Sequence, residues 1–295
     1  MNRNGVSGAV FLTVILLAAG LPTEASGGSA RLRYGFSPGK SYRVREMHHD
    51  VGKTVTVMNV MGQEQEFETP MDQVSEGVWS ATVTGGGGSG VKLAVTYGKH
   101  KGGQRWSSDK IQSDDFFADS RAEVVIHPVK GAIGYSIKPD EPTIDLIYRA
   151  RFIWMPVFPE GSLSKGSEFS HEYVLKSGMY NIKSTDDYYL VEVKGGYAHF
   201  DVESRQVAVI RLTQPQGTGQ IPAGMGMNMS DMKIAYRGEG TAVFDIGEGI
   251  FVEREGKMSY SNMEGTKGSS PMPGGAAFSS RMEGTVKYRW EMERD

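Results

Sequence analysis

The sequence contains no cysteine. Disulfide bonds, thiolate metal ligands and cysteine nucleophiles are therefore excluded, and so is the lipidated cysteine of a bacterial lipoprotein. Beyond the N-terminal segment, no apolar run approaches the roughly 20 residues that a membrane-spanning helix needs. Lysines and arginines are scattered along a chain of net charge −3, so the basic stripe of a nucleic-acid-binding protein is missing. We expect a mature chain with no transmembrane anchor and no nucleic-acid partner.

Motifs for nucleophilic catalysis, metal-assisted hydrolysis and nucleotide binding are also missing. The sequence has neither the GxSxG of a nucleophile elbow nor the HExxH of a zinc hydrolase. Gly39-Lys40-Ser41 resembles the end of a phosphate-binding loop. However, Tyr34 occupies the position of the loop's first glycine, and a strand pattern follows instead of a helix. We therefore predict a protein that is not an enzyme and needs no cofactor.

The titratable side chains form few clusters. Of the six histidines only His48 and His49 are adjacent, with Asp50 after them. Neighbours on a strand point to opposite faces, so this group cannot bind one ion together. We interpret it as the polar end of a strand. The carboxylate pairs at 114–115 and 186–187 occur where turns are expected, which predicts solvated carboxylates and no acid–base pair.

One methionine cluster could bind a metal. Met225, Met227, Met229 and Met232 lie close together, and alternate residues of an extended segment share a face. Thioether sulfur is a soft ligand suited to Cu(I). The alternative is a loop that covers an apolar surface, where methionine fills irregular gaps. The second interpretation needs no additional ligand, whereas a soft-metal site usually has one and no histidine is near in sequence.

The N-terminal segment has the pattern of a secretory signal peptide. Arg3 precedes an apolar stretch of twelve residues at 9–20, and Thr23 and Ala25 are the small residues expected before a cleavage site. Twelve residues are too few to span a bilayer as a helix. We expect residues 1–25 to be removed and residues 26–30 to form a spacer. The mature protein would then act in the periplasm or outside the cell.

The rest of the sequence is typical of a mostly β protein. It has 39 glycines and 12 prolines, and aromatic and β-branched residues alternate with polar ones in short runs. Leu32, Tyr34 and Phe36 predict the first strand. Residues 144–154 fit both a helix and a strand, and a capped start together with the length of the run favours a helix. Residues 114–122 predict another helical turn.

Residues 238–258 contain the clearest hairpin signal. Two strand-like runs flank Gly247-Glu248-Gly249, where glycine can adopt the positive φ of a tight turn. In the second arm, alternation places Arg254 on one face and Phe251 with Glu253 on the other. Three apolar residues are predicted to close the core: Phe244, Ile246 and Phe251. Three acidic residues are predicted to form the solvent-exposed face and the rim of the hairpin: Asp245, Glu248 and Glu253.

These patterns predict a curved antiparallel sheet, or a half-open barrel or sandwich, with one or two short helices. A glycine turn precedes an aromatic strand at both Gly39 and Gly166. This similarity fits two related halves, residues 31–155 and 156–295, that pack as one unit. Turn chemistry that is common to many β proteins explains the similarity equally well.

Four segments carry a family pattern: LRYGFSPGKSYRVRE, NVMGQEQEFETPMDQVSEGVWSATV, FPEGSLSKGSEFSHEYVL and GEGTAVFDIGEGIFVEREGKMSYSNMEG. In order and character they resemble an uncharacterised family of exported bacterial β-rich proteins, a domain of unknown function. The resemblance covers most of residues 31–291 and implies export and a β-rich fold, but no activity. By fold alone, the chain more distantly resembles periplasmic lipoprotein carriers, in which a curved sheet partly encloses an apolar groove.

We expect from these features a secreted, non-enzymatic protein that binds a lipid or other apolar or amphipathic ligand in a β groove. Alternating aromatic faces and the lack of an assembled catalytic set favour this function. The alternative is a structural or interaction module that docks a protein of the cell envelope. A third function is Cu(I) binding by the methionine cluster.

Overall fold

The structure, a computed structural model, describes residues 28–60, 62–87, 90–104, 120–140, 142–178, 180–211, 228–229, 231–264, 266–269 and 277–295. The predicted signal peptide and the predicted helical turn at 114–122 lie outside these residues, apart from residues 120–122 of the latter. Within them the chain is mostly β, as the sequence predicts, with one large antiparallel sheet, one small sheet and one short helix.

The strands of the first half are β1 (Ser29–Ala30), β2 (Ser41–Val60), β3 (Gln63–Gly87), β4 (Gly90–Gln104), β5 (Arg121–His127) and β6 (Gly131–Lys138). Helix α1 (Pro142–Phe152) follows, where the sequence favours a helix. The strands of the second half are β7 (Leu163–Ser164), β8 (Glu168–Ser177), β9 (Tyr180–Lys194), β10 (Tyr197–Ile210), β11 (Asn228–Met229), β12 (Met232–Asp245), β13 (Ile250–Glu264), β14 (Thr266–Ser269) and β15 (Ala277–Arg294).

Both halves contribute to the large sheet. Its strand order is β6-β5-β4-β3-β2-β15-β13-β12-β10-β9-β8, so the first half runs from the centre to one edge and the second half from the other edge back to the centre. β2 and β15 are neighbours in this sheet. Tyr42 of β2 pairs with Arg294 of β15 at one end, and Asn59 of β2 pairs with Ala277 of β15 at the other. β1 and β7 form the small sheet.

The large sheet is strongly curved and does not close. Eleven neighbouring strands would span about 48 Å if they lay flat, whereas a helix is only about 10–12 Å across. Nevertheless α1 contacts both edge strands, β6 and β8. The sheet must therefore wrap around α1, and we call the side that faces the helix the inner face.

An aromatic cluster fills one end of the inner face. Phe244 and Phe251 lie with ring centroids 5.1 Å apart. Phe158, from the extended segment after α1, lies 5.1 Å from Phe244 and 4.8 Å from Tyr34. Phe158, Phe244 and Phe251 are fully buried and Tyr34 is nearly so. Two of the three hairpin residues predicted for the core are confirmed, and Ile246 is partly buried against the same cluster.

Residues 31–37 are extended but belong to no sheet, so the predicted first strand is wrong. The alternating burial is as predicted, because Leu32, Tyr34 and Phe36 are all buried. The backbone instead bonds to turns: Tyr34 N donates to Pro128 O, and Gly35 N donates to Gly249 O. The alternation of apolar and polar residues predicts which side chains are buried. It does not predict whether the backbone bonds to a strand or to turns.

The central strands of the large sheet are longer than the sequence patterns indicate. β2 merges two predicted strands and contains His48, His49 and Asp50 in its middle. The interpretation of these residues as a strand end is therefore wrong. Their predicted orientation is right: His48 lines the inner cavity described below, whereas His49 bonds to Asp72.

The hairpin of β12 and β13 contains a register shift that decides which side chains face inward. Val243 pairs with Glu253, but the next residue, Phe244, pairs with Phe251, so Val252 is an extra residue in β13. This is a β-bulge, which changes the alternation of the strand that carries it. As a result Phe251 and Arg254 are both buried on the inner face, contrary to the predicted opposite faces.

Candidate functional site: a buried arginine beside an inner cavity

Arg254 reaches across the curved sheet to a carboxylate on a distant strand. β13 and β9 are separated by β12 and β10, which is three strand spacings or roughly 14 Å in a flat sheet. Arg254 Nη2 nevertheless donates to Asp186 Oδ2 at 2.9 Å. The intervening strand β12 carries Gly238 at the register position of Ser204, and Ser204 pairs with Asp186. Gly238 pairs with Met258 of β13, whereas Arg254 pairs with Ala242. Curvature of the sheet therefore has to bring Arg254 and Asp186 together.

The Arg254–Asp186 ion pair is buried and supported by hydroxyl groups. The side chain of Asp186 is 1% exposed and that of Arg254 is 8% exposed. Ser204 Oγ donates to the second carboxylate oxygen, Asp186 Oδ1, at 2.7 Å. Arg254 Nη1 lies 3.5 Å from the hydroxyl oxygen of Tyr188. Each carboxylate oxygen thus accepts a hydrogen bond, which is what a buried charge requires.

The interpretation of residues 186–187 as solvated turn carboxylates is therefore wrong for Asp186. Both residues lie inside β9, and on a strand they point to opposite faces. Asp186 faces inward, whereas Asp187 accepts hydrogen bonds from Ser170 and Arg205 in an exposed setting. The polar residues 186–187, which suggested a turn, lie in the middle of the long strand β9. The inward one, Asp186, has an arginine partner.

Aromatic rings flank the guanidinium of Arg254. Its central carbon lies 4.8 Å from the ring centroid of Trp154 and 5.7 Å from that of Tyr288. Trp154 in turn lies 5.1 Å from Trp290 in an edge-on arrangement. Cation–π contacts of this kind stabilise a desolvated guanidinium.

A second buried ion pair lies where α1 ends. Arg151 donates to Glu46 of β2, and their side chains are 8% and 11% exposed. The guanidinium of Arg151 also lies over the rings of Trp79 and Tyr97, at 5.5 Å and 5.4 Å from their centroids. Two arginines, each with a carboxylate, therefore face the same part of the inner face from α1 and from β13.

A cavity of about 340 Å³ lies between these two ion pairs. This volume is at the lower end of the range for small-molecule sites. The cavity is lined by Glu46, His48, Ala150, Arg151, Trp154, Tyr173, Gln206, Arg254, Met258, Tyr288, Arg289 and Trp290. Six of the twelve lining residues are charged or strongly polar, and the other six are aromatic or apolar. The wall is therefore more polar than that of a typical ligand pocket.

Arg254 and Trp290 line the cavity, and each has a buried side-chain donor without an acceptor. Arg254 Nε and Trp290 Nε1 are inaccessible to solvent and bond to no acceptor among the described residues. The residues themselves are 7% and 6% exposed. An unmade hydrogen bond at a buried donor costs about 1–3 kcal/mol. The two unmade hydrogen bonds therefore reduce the stability of the folded chain.

Burial shifts the pKa values of the groups around the cavity. It raises the pKa of Tyr173 to about 12 and that of Tyr188 well above its usual value, so both hydroxyl groups stay protonated. Burial alone would lower the pKa of Arg254, but Asp186 and the neighbouring tyrosines raise it well above its usual value. The site therefore keeps a charged guanidinium and neutral phenols at any physiological pH.

His171 lies behind the cavity on β8 and is held in one state. Its Nε2 donates to the carbonyl oxygen of Ile153 at 2.8 Å. Burial lowers its pKa, and this outweighs the opposite effects of the hydrogen bond and of Asp186. His171 is therefore a neutral structural donor that holds β8 against the chain that leaves α1.

The predicted metal ligands remain untested. Met225 and Met227 lie outside the described residues. Met229 pairs with Gly268 between β11 and β14, and Met232 pairs with Ile210 at the start of β12. Copper binding by this cluster therefore stays a prediction. Among the residues that the structure describes, no group of three histidines, aspartates or glutamates is arranged to hold a metal.

Sequence reasoning missed the main residues of the site, Arg254, Asp186, Trp290 and Glu46. The register of β2, β9, β13 and β15 places them on one face, and the bulge at Val252 turns Arg254 inward. A partial signal was present in the sequence. Asp186 lies two residues from the aromatic residue Tyr188 in a strand-like run, a position at which a charge needs a partner.

Comparisons with known proteins show no family for this chain. No family model matches, and no curated protein matches. The likenesses to solved structures are weak. The outer membrane protein OprG from Pseudomonas aeruginosa has 11% identity and a TM-score of 0.26, over 88% of this chain and 98% of that one. OccK11 (OpdR) from Pseudomonas aeruginosa has 8% identity and a TM-score of 0.21, over 90% and 100%.

The third structure is the secretin domain β-barrel of InvG from the Salmonella SPI-1 injectisome. It has 7% identity and a TM-score of 0.17, over 87% of this chain and 63% of that one. Likenesses at these TM-scores carry no argument about fold or function. The distant resemblance to lipoprotein carriers stays a prediction. The expectation of a β-rich protein is confirmed by the sheet itself.

No helix in the described part of the chain is long and apolar enough to cross a membrane.

Proposed function

We propose that this chain is an exported, non-enzymatic protein of the bacterial envelope that binds a small amphipathic ligand in its inner cavity. The observation that carries the proposal is the cavity of about 340 Å³, whose wall combines the rings of Trp154, Tyr288 and Trp290 with the buried Arg254. Aromatic walls bind the apolar part of a ligand, and a few fixed polar groups orient it.

The polar groups of the cavity favour binding over catalysis. Arg254 holds Asp186 as a paired anion, and Arg151 holds Glu46 in the same way. Each of these carboxylates already accepts a hydrogen bond from its guanidinium, so that carboxylate oxygen is occupied. The hydroxyl groups of Tyr173 and Tyr188 have raised pKa values and stay protonated. Tyr173 and Arg254, which line the cavity, can therefore orient a ligand without exchanging protons with it.

Export is part of this proposal. The signal-peptide pattern of residues 1–25 supports it, with Arg3, the apolar stretch and the small residues Thr23 and Ala25. Mass spectrometry of the N-terminus of protein recovered from the periplasm or medium would test it. A chain that begins at residue 26 is expected, whereas an intact N-terminus in the cytoplasm would contradict export.

Ligand binding is tested by titrating the mature protein with a fluorescent apolar dye and by native mass spectrometry of protein purified without denaturation. We expect one dye molecule per chain and a co-purified small molecule. Ala150→Phe should weaken dye binding at least about tenfold, because Ala150 lines the cavity and is solvent-exposed on α1. Ala94→Phe is the matched control, since Ala94 alternates with the buried Leu93 and Val95 on β4 and so faces outward.

Two results would contradict the proposal. The first is an empty protein that binds no dye. The second is equal loss of binding in the Ala150 and Ala94 variants. If cross-linking in cells then captured a stable envelope protein, the chain would be the interaction module that the sequence offers as the alternative.

A further inference from the structure

We infer that the head of the ligand is an organic ammonium group that pairs with the carboxylate of Asp50, beside the inner cavity. The inference rests on the proposed function and names the chemical class of the ligand. A primary alkylamine has this chemistry, because its protonated head is a cation with three hydrogen-bond donors and its chain is apolar.

Asp50 faces inward from β2, next to the cavity. His48 lines the cavity, and residues two apart on a strand share a face. The two positions are about 7 Å apart along the strand. Across the sheet, Asp50 pairs with Val286, and Val286 pairs with Met258 of the cavity wall. An amphipathic ligand whose chain lies in the cavity can therefore place its head at Asp50.

Asp50 differs from the other inward carboxylates in having no cationic partner. On the described strands around the cavity, three carboxylates face inward: Glu46, Asp50 and Asp186. Asp186 is paired with Arg254 at 2.9 Å, and Glu46 is paired with Arg151. Asp50 forms no ion pair with any residue that the structure describes. One negative charge of the inner face is thus left for a ligand cation to compensate.

A tyrosine fixes one oxygen of this carboxylate. Tyr260 Oη donates to Asp50 Oδ1 at 2.7 Å. The side chain of Tyr260 reaches from β13 across β15 to β2 over two glycines. A Cβ at Gly284 would lie 2.5 Å from the hydroxyl oxygen, and a Cβ at Gly52 would lie 2.6 Å from it. Asp50 is half-buried, and its Oδ2 accepts no hydrogen bond from the described residues, so this oxygen remains for a ligand donor.

Aromatic rings lie beside Asp50. Tyr236 is the cross-strand neighbour of Tyr260, and their ring centroids are 5.4 Å apart. Burial, and after it Asp50, raises the pKa of both tyrosines, so both phenols stay neutral. Burial also raises the pKa of Asp50, and a bound cation would favour its charged form. A carboxylate beside aromatic rings suits an organic cation, because ring faces also attract positive charge.

The arginines of the cavity wall lie apart from Asp50. In the register of the sheet, Arg254 is level with Glu46, which precedes Asp50 on β2 by four residues or about 13 Å. Arg289 pairs with glutamates that include Glu253, at 2.9 Å. A cation at Asp50 therefore does not have to approach these guanidinium groups.

The test compares three probes with the same carbon chain: octylamine, octanol and octanoate. Each is titrated into the mature protein by calorimetry at about pH 7.5, where an alkylamine is a cation. Octylamine is expected to bind at least about tenfold more tightly than octanol, because only the ammonium group gains an ion pair with Asp50.

Asp50→Asn removes the charge and keeps an acceptor for the hydroxyl group of Tyr260. It should reduce the preference for octylamine over octanol to less than about twofold. Asp201→Asn is the matched control, because Asp201 lies between the buried Phe200 and Val202 on β10 and so faces outward. This control should keep the preference of the parent protein. The preference is a ratio between two probes on one protein, so a change in the amount of folded protein does not alter it.

The outcomes separate the inference from the proposed function. Tightest binding of octanoate would overturn the inference and assign the head of the ligand to the arginines of the wall. No preference for octylamine in the parent protein, or an equal preference in the two aspartate variants, would also overturn it while ligand binding stands. If neither the dye nor any probe binds, the proposed function fails as well.

Discussion

Arg254 connects several parts of the protein interior through its side-chain contacts. Its guanidinium contacts Asp186, Ser204 and Tyr188, which lie on two other strands, and it packs on Trp154 from the segment after α1. A charge that is removed from water is tolerated only when such partners are present. The Arg254–Asp186 pair can therefore form only in a register of β9 and β13 that places both residues on the inner face.

The first prediction concerns this ion pair. Arg254→Met should lower the free energy of unfolding by about 3–5 kcal/mol, because Asp186 would remain buried without its counter-ion. In the double variant R254M/D186N neither charge remains, and we expect it to recover at least half of that loss. Urea unfolding of the four proteins in a double-mutant cycle measures the coupling. Simple addition of the two single losses would show that the pair is not coupled.

The second prediction concerns His171. Because burial holds its pKa below the ordinary value of about 6.5, the unfolded chain binds a proton more readily than the folded chain. The contribution of His171 to stability is therefore complete above pH 6.5 and is lost as the pH falls toward the folded pKa. The difference in unfolding free energy between pH 7.5 and pH 5.5 should shrink in His171→Gln.

His199→Gln serves as the control for this pH series, because His199 lies on β10 outside the cavity and is only partly buried. It should keep the pH dependence of the parent protein. An unchanged pH dependence in His171→Gln would show that His171 does not favour the neutral form on folding.

The turn between β12 and β13 depends on a glycine that also lies against a neighbouring segment. Gly249 has a φ of +69°, and a Cβ at this position would lie 2.7 Å from the carbonyl oxygen of Arg33. The turn therefore serves two purposes, since it reverses the chain and leaves room for residues 31–37 to cross. Asp245 closes the turn by accepting hydrogen bonds from Glu248 N and Gly249 N.

The third prediction ranks two residues of this hairpin. Phe244→Ala should cost about 3–5 kcal/mol of unfolding free energy, because it leaves a cavity in the aromatic cluster. Glu248→Ala should cost less than about 1 kcal/mol. Glu248 does form ion pairs with Lys40 at 3.1 Å and Arg294 at 3.6 Å, but its side chain is 30% exposed. Denaturant unfolding measures both, and the reverse ranking would contradict the hairpin's role in the core.

At the scale of the whole molecule, the two halves of the chain share one sheet and one core. β2 and β15 pair along nearly their whole length, and the aromatic cluster joins Tyr34 of the first half to Phe158 and Phe244 of the second. Interfaces of this kind resemble the interior of a single domain more than a contact between two domains.

The fourth prediction follows from this shared sheet. The mature chain should unfold in one cooperative transition, with the same midpoint by near-ultraviolet circular dichroism and by calorimetry. Residues 156–295 expressed alone should not fold, because β15 would lose β2 and expose a long unpaired edge. Two separate transitions, or a folded fragment, would show that the halves are independent domains.

Local pattern was sufficient for much of this protein. Alternation identified the β class, the hairpin core residues Phe244 and Phe251, and the burial of Leu32, Tyr34 and Phe36, because side-chain period and burial are properties of a single segment. The helix after β6 was also predictable, since its length and capped start are local signals. The same logic placed His48 and His49 on opposite faces.

The candidate site depended on tertiary structure. Asp186 and Arg254 are far apart in sequence, and they meet because the sheet curves and because the bulge at Val252 turns Arg254 inward. Neither the curvature nor the register between distant strands is encoded in the period of one segment. The sequence by itself determined which apolar residues avoid water, because their alternation is a property of one segment. Only the folded sheet decided that Asp186 and Arg254 are also buried and that they meet as an ion pair beside the cavity.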